Sequence, residues 1–169
     1  MDFKLLATEL EKNKNSFSSL LRDVPADLIK WKSSPEKWSL LEIVCHLCDE
    51  EKEDFRARLN HVLNTPDKVL PSIDPVGWVE KRNYFEQDFD IKLNEFLTER
   101  EDSIQWLKSL KNPDLAQFYN HPKFGKMSGK LFLSNWLAHD YLHIRQITGV
   151  KFFYLKHISG ETLDYAGNW

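Results

Sequence analysis

The chain has 169 residues, 41% of them hydrophobic and 13% aromatic, enough for one globular domain, residues 1–169, built round its own core. Its formal net charge is -3, with cations interleaved among carboxylates, so no basic stripe exists to hold a phosphate backbone and nucleic acid is excluded as a partner. The opening stretch MDFKLLATELEKNKNSF carries charges throughout; it reads as neither a signal peptide nor a membrane span, and a cytoplasmic protein is expected.

Phe3, Leu6, Ala7, Leu10, Phe17, Leu20 and Leu21 recur at helical intervals and predict a first helix over residues 2–22, ended by Val24 and Pro25. The connection that follows holds Trp31 and Trp38, whose rings are expected to close one end of a bundle. Ser39 and Glu42 then form S-x-x-E, the reciprocal capping box that starts a second helix at about Leu40 and carries it to about Val62. His46 sits near two turns into that helix.

Next on the same helix comes an acidic run. His46, Asp49, Glu50 and Glu53 share one arc, each three or four residues from the next. With His46 turned inward, Asp49 or Glu50 follows it as a further ligand, as a partner of a ligand, or as a proton acceptor; a solvated acidic face has the same pattern. Cys45 and Cys48 bracket His46 in a C-x-x-C, but they lie inside a helix with no strand before them, and helical rotation turns them away from His46. They read as small buried core residues.

Over residues 64–88 the periodicity breaks at Pro66, Pro71 and Pro75. A connection this long can travel the length of a bundle, so the second and third helices are free to run parallel, and such a segment often serves as a lid. The third helix, residues 90–110, places Arg100 on the same stripe as Leu93, Phe96, Leu97, Ile104 and Leu107. There it either pairs with carboxylates of the second helix or snorkels outward. The segment KNPDLAQFYNHPKFGKM reads as a loop, with His121 at a pocket edge rather than on a metal.

The fourth helix, residues 128–149, begins on Ser128 as N-cap and is expected to stop at Gly149. It carries His139 and His143. Residues four apart differ by about 40° round a helix, so the two imidazoles stack one turn apart on one face. That spacing offers one metal ion two nitrogens, by the same logic as the HExxH helix of metalloproteases, although here the motif is HDYLH. The best third donor elsewhere in the chain is His46. The aromatic tail after Gly149 is expected to pack over the bundle or across a homodimer interface.

The stretches WSLLEIVCHLCDEE, LPSIDPVGW and HPKFGKMSGKLFLSNWLAHDYLHIRQI together resemble the DinB-like superfamily, over essentially the whole chain. The last is the most specific, with His-x-x-x-His followed by Arg-Gln-Ile. The resemblance implies an all-α four-helix bundle with a long crossover between helices 2 and 3, and a divalent-metal site with His46, His139 and His143 as its protein ligands. It also implies relatives that use low-molecular-weight thiols, bacillithiol transferases and a mycothiol-dependent isomerase among them.

Three neutral imidazoles leave a divalent ion its charge and open coordination positions, the arrangement of a catalytic site. A thiol or water beside the ion becomes a nucleophile at neutral pH. The expected function is therefore a metal-dependent thiol S-transferase or hydrolase acting on a small electrophile, with Asp49, Glu50 or Asp140 orienting ligands or accepting protons. Zn or Ni is the expected ion, with Fe or Mn as alternatives. The competing expectation is a non-catalytic metal-binding stress-response module.

Overall fold

Helix α1, Phe3–Leu21, buries Leu6, Ala7, Leu10, Phe17 and Leu21, the stripe its spacing lays out. A computed structural model describes residues 3–167, so the expected helix start at Asp2 lies outside the described residues. After the short α2, Ala26–Ile29, the capping box forms as read and opens α3, Leu40–Glu50. Ser39 Oγ accepts from the Glu42 N–H at 3.3 Å, and Glu42 Oε2 accepts from the Ser39 N–H at 2.8 Å. A cap of this kind contributes about 1 kcal/mol.

The second long helix is not uniform. One π-helical turn, Glu51–Phe55, joins α3 without a break to α4, Arg56–Asn64. The crossover then carries α5, Pro75–Lys81, whose first turn is capped by Asp74 accepting from the Gly77 N–H at 3.1 Å. Helix α6, Phe89–Ser109, follows with Asp88 as its N-cap.

Two expectations are corrected beyond this point. The segment read as a loop contains a hairpin, β1 Phe118–His121 against β2 Gly125–Ser128, antiparallel with Tyr119 opposite Met127. Its turn closes at Gly125, which adopts the left-handed φ of +70°. Ser128 does cap the last helix, accepting from the Leu131 N–H at 3.1 Å, but α7 runs Gly129–Ser159, straight through Gly149. A lone glycine costs a helix interior only about 1 kcal/mol, and the flanking Ile147 and Tyr154 are buried in the core. The helix stops instead at Gly160, with φ +69°.

Side-chain pairs fix the directions of the four long helices. Lys14 meets Glu101 and Lys108 meets Glu11, so α1 and α6 run antiparallel. Cys48 meets Glu95 and Arg56 meets Ser103, so the second long helix runs parallel to α6, as its long crossover permits. Helix α7 packs between α1 and the second long helix. The result is an all-α four-helix bundle with the crossover between its second and third long helices. Among the described residues no helix is long and apolar enough to cross a membrane.

The interior is divided. One apolar cluster gathers Phe17, Leu21, Leu47, Phe96, Leu97 and Ile147, and the other Leu6, Leu10, Phe55, Leu59, Leu107 and Trp136. On each long helix a buried polar residue lies between the two: Asn13, Glu51, Arg100 and Asp140. That polar layer is the level at which the candidate site is built.

Candidate metal centre

His46 is carried by α3, and His139 and His143 by consecutive turns of the antiparallel α7. The Nε2 atom of His139 lies 3.2 Å from that of His46 and 3.0 Å from that of His143. Among the described residues these three form a group able to hold a metal ion. Burial drives every ring toward neutrality. It pushes His46 down to about 3, with His143 adding to the effect; His139 falls to about 2, with His143, His46 and Arg100 adding; His143 falls to about 4.

The site's own hydrogen bonding is frustrated. One nitrogen of His139 can satisfy both contacts only by accepting twice, and the other two rings, donating through Nε2, then keep bare Nδ1 atoms. Both Nδ1 atoms are buried and without a partner. Three neutral imidazole nitrogens, packed this closely on rigid helices, are by contrast a fitting donor set for one borderline divalent ion. Aromatic walls hold the rings in place: the Trp38 ring lies 4.8 Å from His46 and parallel to His143 at 6.5 Å, and Phe55 lies 4.8 Å from His139.

Of the acidic candidates, the structure brings Glu50 to the trio and takes the other two elsewhere. Glu50 Oε2 is 3.6 Å from His139 Nε2. Burial, with Asp54 adding and Arg58 opposing, raises its carboxyl to about 8. Asp49 instead accepts from the Tyr84 hydroxyl at 2.6 Å and pairs with Arg82 at 2.8 Å, facing the crossover. Glu53 also pairs with Arg82, so the arc of residues 46, 49, 50 and 53 divides between two surroundings.

Asp140 is wholly buried on the far side of its helix from solvent. It accepts from both terminal nitrogens of Arg100 at 2.7 Å and from Asn13 at 3.1 Å. Arg100 also donates twice to Glu51 at 2.9 Å, and the indole of Trp136 donates to Glu51 at 3.0 Å. This network ties all four long helices together. It sits one residue from Glu50 on one helix and one residue from His139 on another, so it sets where both point.

Successive helical side chains point about 100° apart, which turns Glu50 and Glu51 to different surroundings, and a π turn begins between them. A wider turn shifts the register of everything after Glu50, and such insertions recur at functional sites. Nothing in a periodic reading of apolar residues marks it. Also outside such a reading are Arg58, paired with Asp54 and bonded to the Pro71 carbonyl at 3.2 Å, and the hairpin, which brings His121 to the rim of a cavity that also reaches His139. His121 Nδ1 accepts from the N–H groups of Lys123 and Phe124, closing its own turn. The expectation for Cys45 and Cys48 agrees with their placement: both are buried free thiols.

The DinB superfamily model matches residues 9–147. The fold is also similar to that of YfiT from Bacillus subtilis, described as "a probable metal-dependent hydrolase with an unusual four-helix bundle topology". The match has a TM-score of 0.77 at 16% identity and covers 95% of this chain and 89% of that one. At that identity the likeness establishes the fold alone. No curated protein matches the chain.

Proposed function

Because the chain belongs to the DinB superfamily, we propose that it is a metal-dependent enzyme in which His46, His139 and His143 hold one divalent ion, and in which water or a low-molecular-weight thiol attacks a small electrophile. The observation that carries this reading is the meeting of three neutral imidazoles, the Nε2 atoms of buried His46 and His143 both within hydrogen-bond distance of that of part-buried His139. The description of YfiT as a hydrolase favours water as the nucleophile. A divalent ion, when bound, supplies Lewis acidity and lowers the pKa of a water or thiol beside it.

The protein's own residues do the rest. His46 and the α7 pair fix the ion from two antiparallel helices, so its position follows the rigid packing of the bundle. Glu50 is the carboxyl placed to take or give a proton beside the trio. Asp140 and Glu51 act through Arg100, holding the two helices that present those groups. Trp38 and Phe55 pack against the rings and limit how they can turn.

One observation favours a second reading. The Glu50 carboxylate stands close enough to His139 to become a fourth ligand, and four protein ligands make the closed coordination of a structural or sequestering site. Metal-loaded protein assayed against ester and amide panels, with and without added thiol, separates the two. Turnover lost on chelation and restored by Zn²⁺ or Ni²⁺ supports the enzyme; stoichiometric metal without turnover supports the module.

A further inference from the structure

Two openings reach the histidine trio, and their walls are unlike. A cavity of about 780 Å³, bounded by the crossover, the hairpin and α7, reaches His139 and Glu50 but neither of the other histidines. A cleft of about 370 Å³ reaches His46 and His143 but not His139, between Trp38 and Gln146. The two share no residue. The trio is therefore a partition with one ring on the larger side and two on the smaller.

The chemistry of each wall selects what enters. The large chamber has the size of a small-molecule site, and Phe55, Leu70, Phe124, Met127 and Phe132 make most of its surface apolar. Among the described residues its single lysine or arginine is Arg58, already committed to Asp54 and to the Pro71 carbonyl. Apart from the ion at the trio, an anion in the chamber would find no uncommitted lysine or arginine, and would meet the carboxyls of Glu50 and Asp54 instead. Away from the ion, burying a charge without a partner is costly, so the apolar walls favour an uncharged body. The cleft differs: it is smaller, its polar and apolar surfaces are nearly equal, Glu36, Lys37 and Gln146 stand at its edge, and there is room beside Trp38 for water or a short thiol.

We propose that the centre is served from two sides, an uncharged and largely apolar electrophile occupying the chamber against His139 and Glu50, and the small polar nucleophile arriving through the cleft at His46 and His143. This rests on the metal-dependent reading above and specifies its substrate class. Separate routes let the electrophile fill its chamber without shutting out its attacker. Ala138 and Leu142, on the chamber wall, and Gln146, on the cleft wall, lie along the same helix and set the two widths.

The test uses full-length protein loaded with Co²⁺ and two probes. N-phenyl-1-naphthylamine, uncharged and apolar, reports on the chamber by fluorescence; 2-mercaptoethanol reports on the cleft through a sulfur-to-cobalt charge-transfer band. Gln146→Trp is expected to weaken the thiol band by roughly tenfold or more while leaving naphthylamine affinity unchanged, and Ala138→Trp to do the opposite. Co²⁺ content is measured for each variant, so that loss of the metal is not mistaken for loss of access. Both probes lost together in Ala138→Trp, or a thiol band indifferent to Gln146→Trp, would overturn two-sided access while the metal reading stands. A wild-type protein that takes up no Co²⁺ overturns the metal reading itself, before any probe is added, and this proposal with it.

Discussion

Glu50 and Glu51 are neighbours in the chain and both are buried, yet Glu50 turns to His139 at 3.6 Å while Glu51 takes two hydrogen bonds from Arg100 at 2.9 Å. The boundary between α-helix and π turn runs between them. Successive helical side chains point about 100° apart, so one carboxyl faces the trio while the next is spent on architecture.

The architectural carboxyl depends on its cation. Arg100→Met leaves Glu51 and Asp140 buried without their partner, and breaking a buried pair in this way costs about 3–5 kcal/mol. Urea denaturation of the variant is expected to show a loss in that range. Replacing all three charges together, as Arg100→Met with Glu51→Gln and Asp140→Asn, is expected to cost less than the single change, because no uncompensated charge remains. Additive or larger losses in the triple variant would show that the network is not a unit.

Glu50→Gln keeps shape and removes the ionisable proton. The expected outcome is protein with an unchanged metal load and turnover lowered by about 10²–10⁴, the usual size of a lost proton-transfer group. Metal analysis and steady-state rates on the same sample decide it. A parallel fall in metal content would move Glu50 from proton handling to ligation and favour the sequestering module.

Metal-free protein should show opposed pH dependences. The three histidines have folded values of about 2 to 4 against an ordinary 6.5, so below about pH 6.5 the unfolded chain binds protons that the folded one refuses. Stability from this source is lost as pH falls from 6.5 toward 4, by up to about 1.4 kcal/mol per pH unit per ring. Glu50 works the other way. Its folded value of about 8 lies above the ordinary 4.5, so between those limits the unfolded chain has given up a proton the folded chain retains, and stability falls as pH rises. Thermal melts of chelated protein from pH 4 to 9 should therefore fall off on both sides, with Glu50→Gln flattening the alkaline limb and steepening the acid limb above about pH 4.5. An alkaline limb unchanged by that substitution would contradict the assignment.

Helix α7 ends on a left-handed residue, and any side chain there is strained. Gly160→Ala is expected to cost about 1 kcal/mol, seen as a lower denaturation midpoint with the slope unchanged. No loss would mean that the helix end is not held in that conformation.

Much of this was legible beforehand because it rests on local rules. The S-x-x-E box starts α3 where it stands, Ser128 caps α7, and the length of the crossover allows α3 and α6 to run the same way. The meeting of His46 with His139 and His143 joins a spacing rule to a family resemblance. The remainder depends on the third dimension. Asp49 and Glu50 share an arc on paper, but Arg82 and Tyr84, brought in by the crossover, claim Asp49. Asp140 sits beside a histidine in sequence and belongs to Arg100 in space. Gly149 looked like a terminator because a sequence does not display the burial of Ile147 and Tyr154 that outweighs one glycine. The hairpin is invisible for a similar reason: its four-residue strands show no alternation, and Tyr119 faces Met127 only once Gly125 has turned.

The decisive measurement is the metal content of untagged protein beside that of His46→Ala, each purified without chelator and checked for helix content. The expected result is close to one divalent ion per chain in the natural protein and almost none in the variant, with both folded. Equal metal in the two would contradict the three-histidine centre on which the proposed chemistry stands.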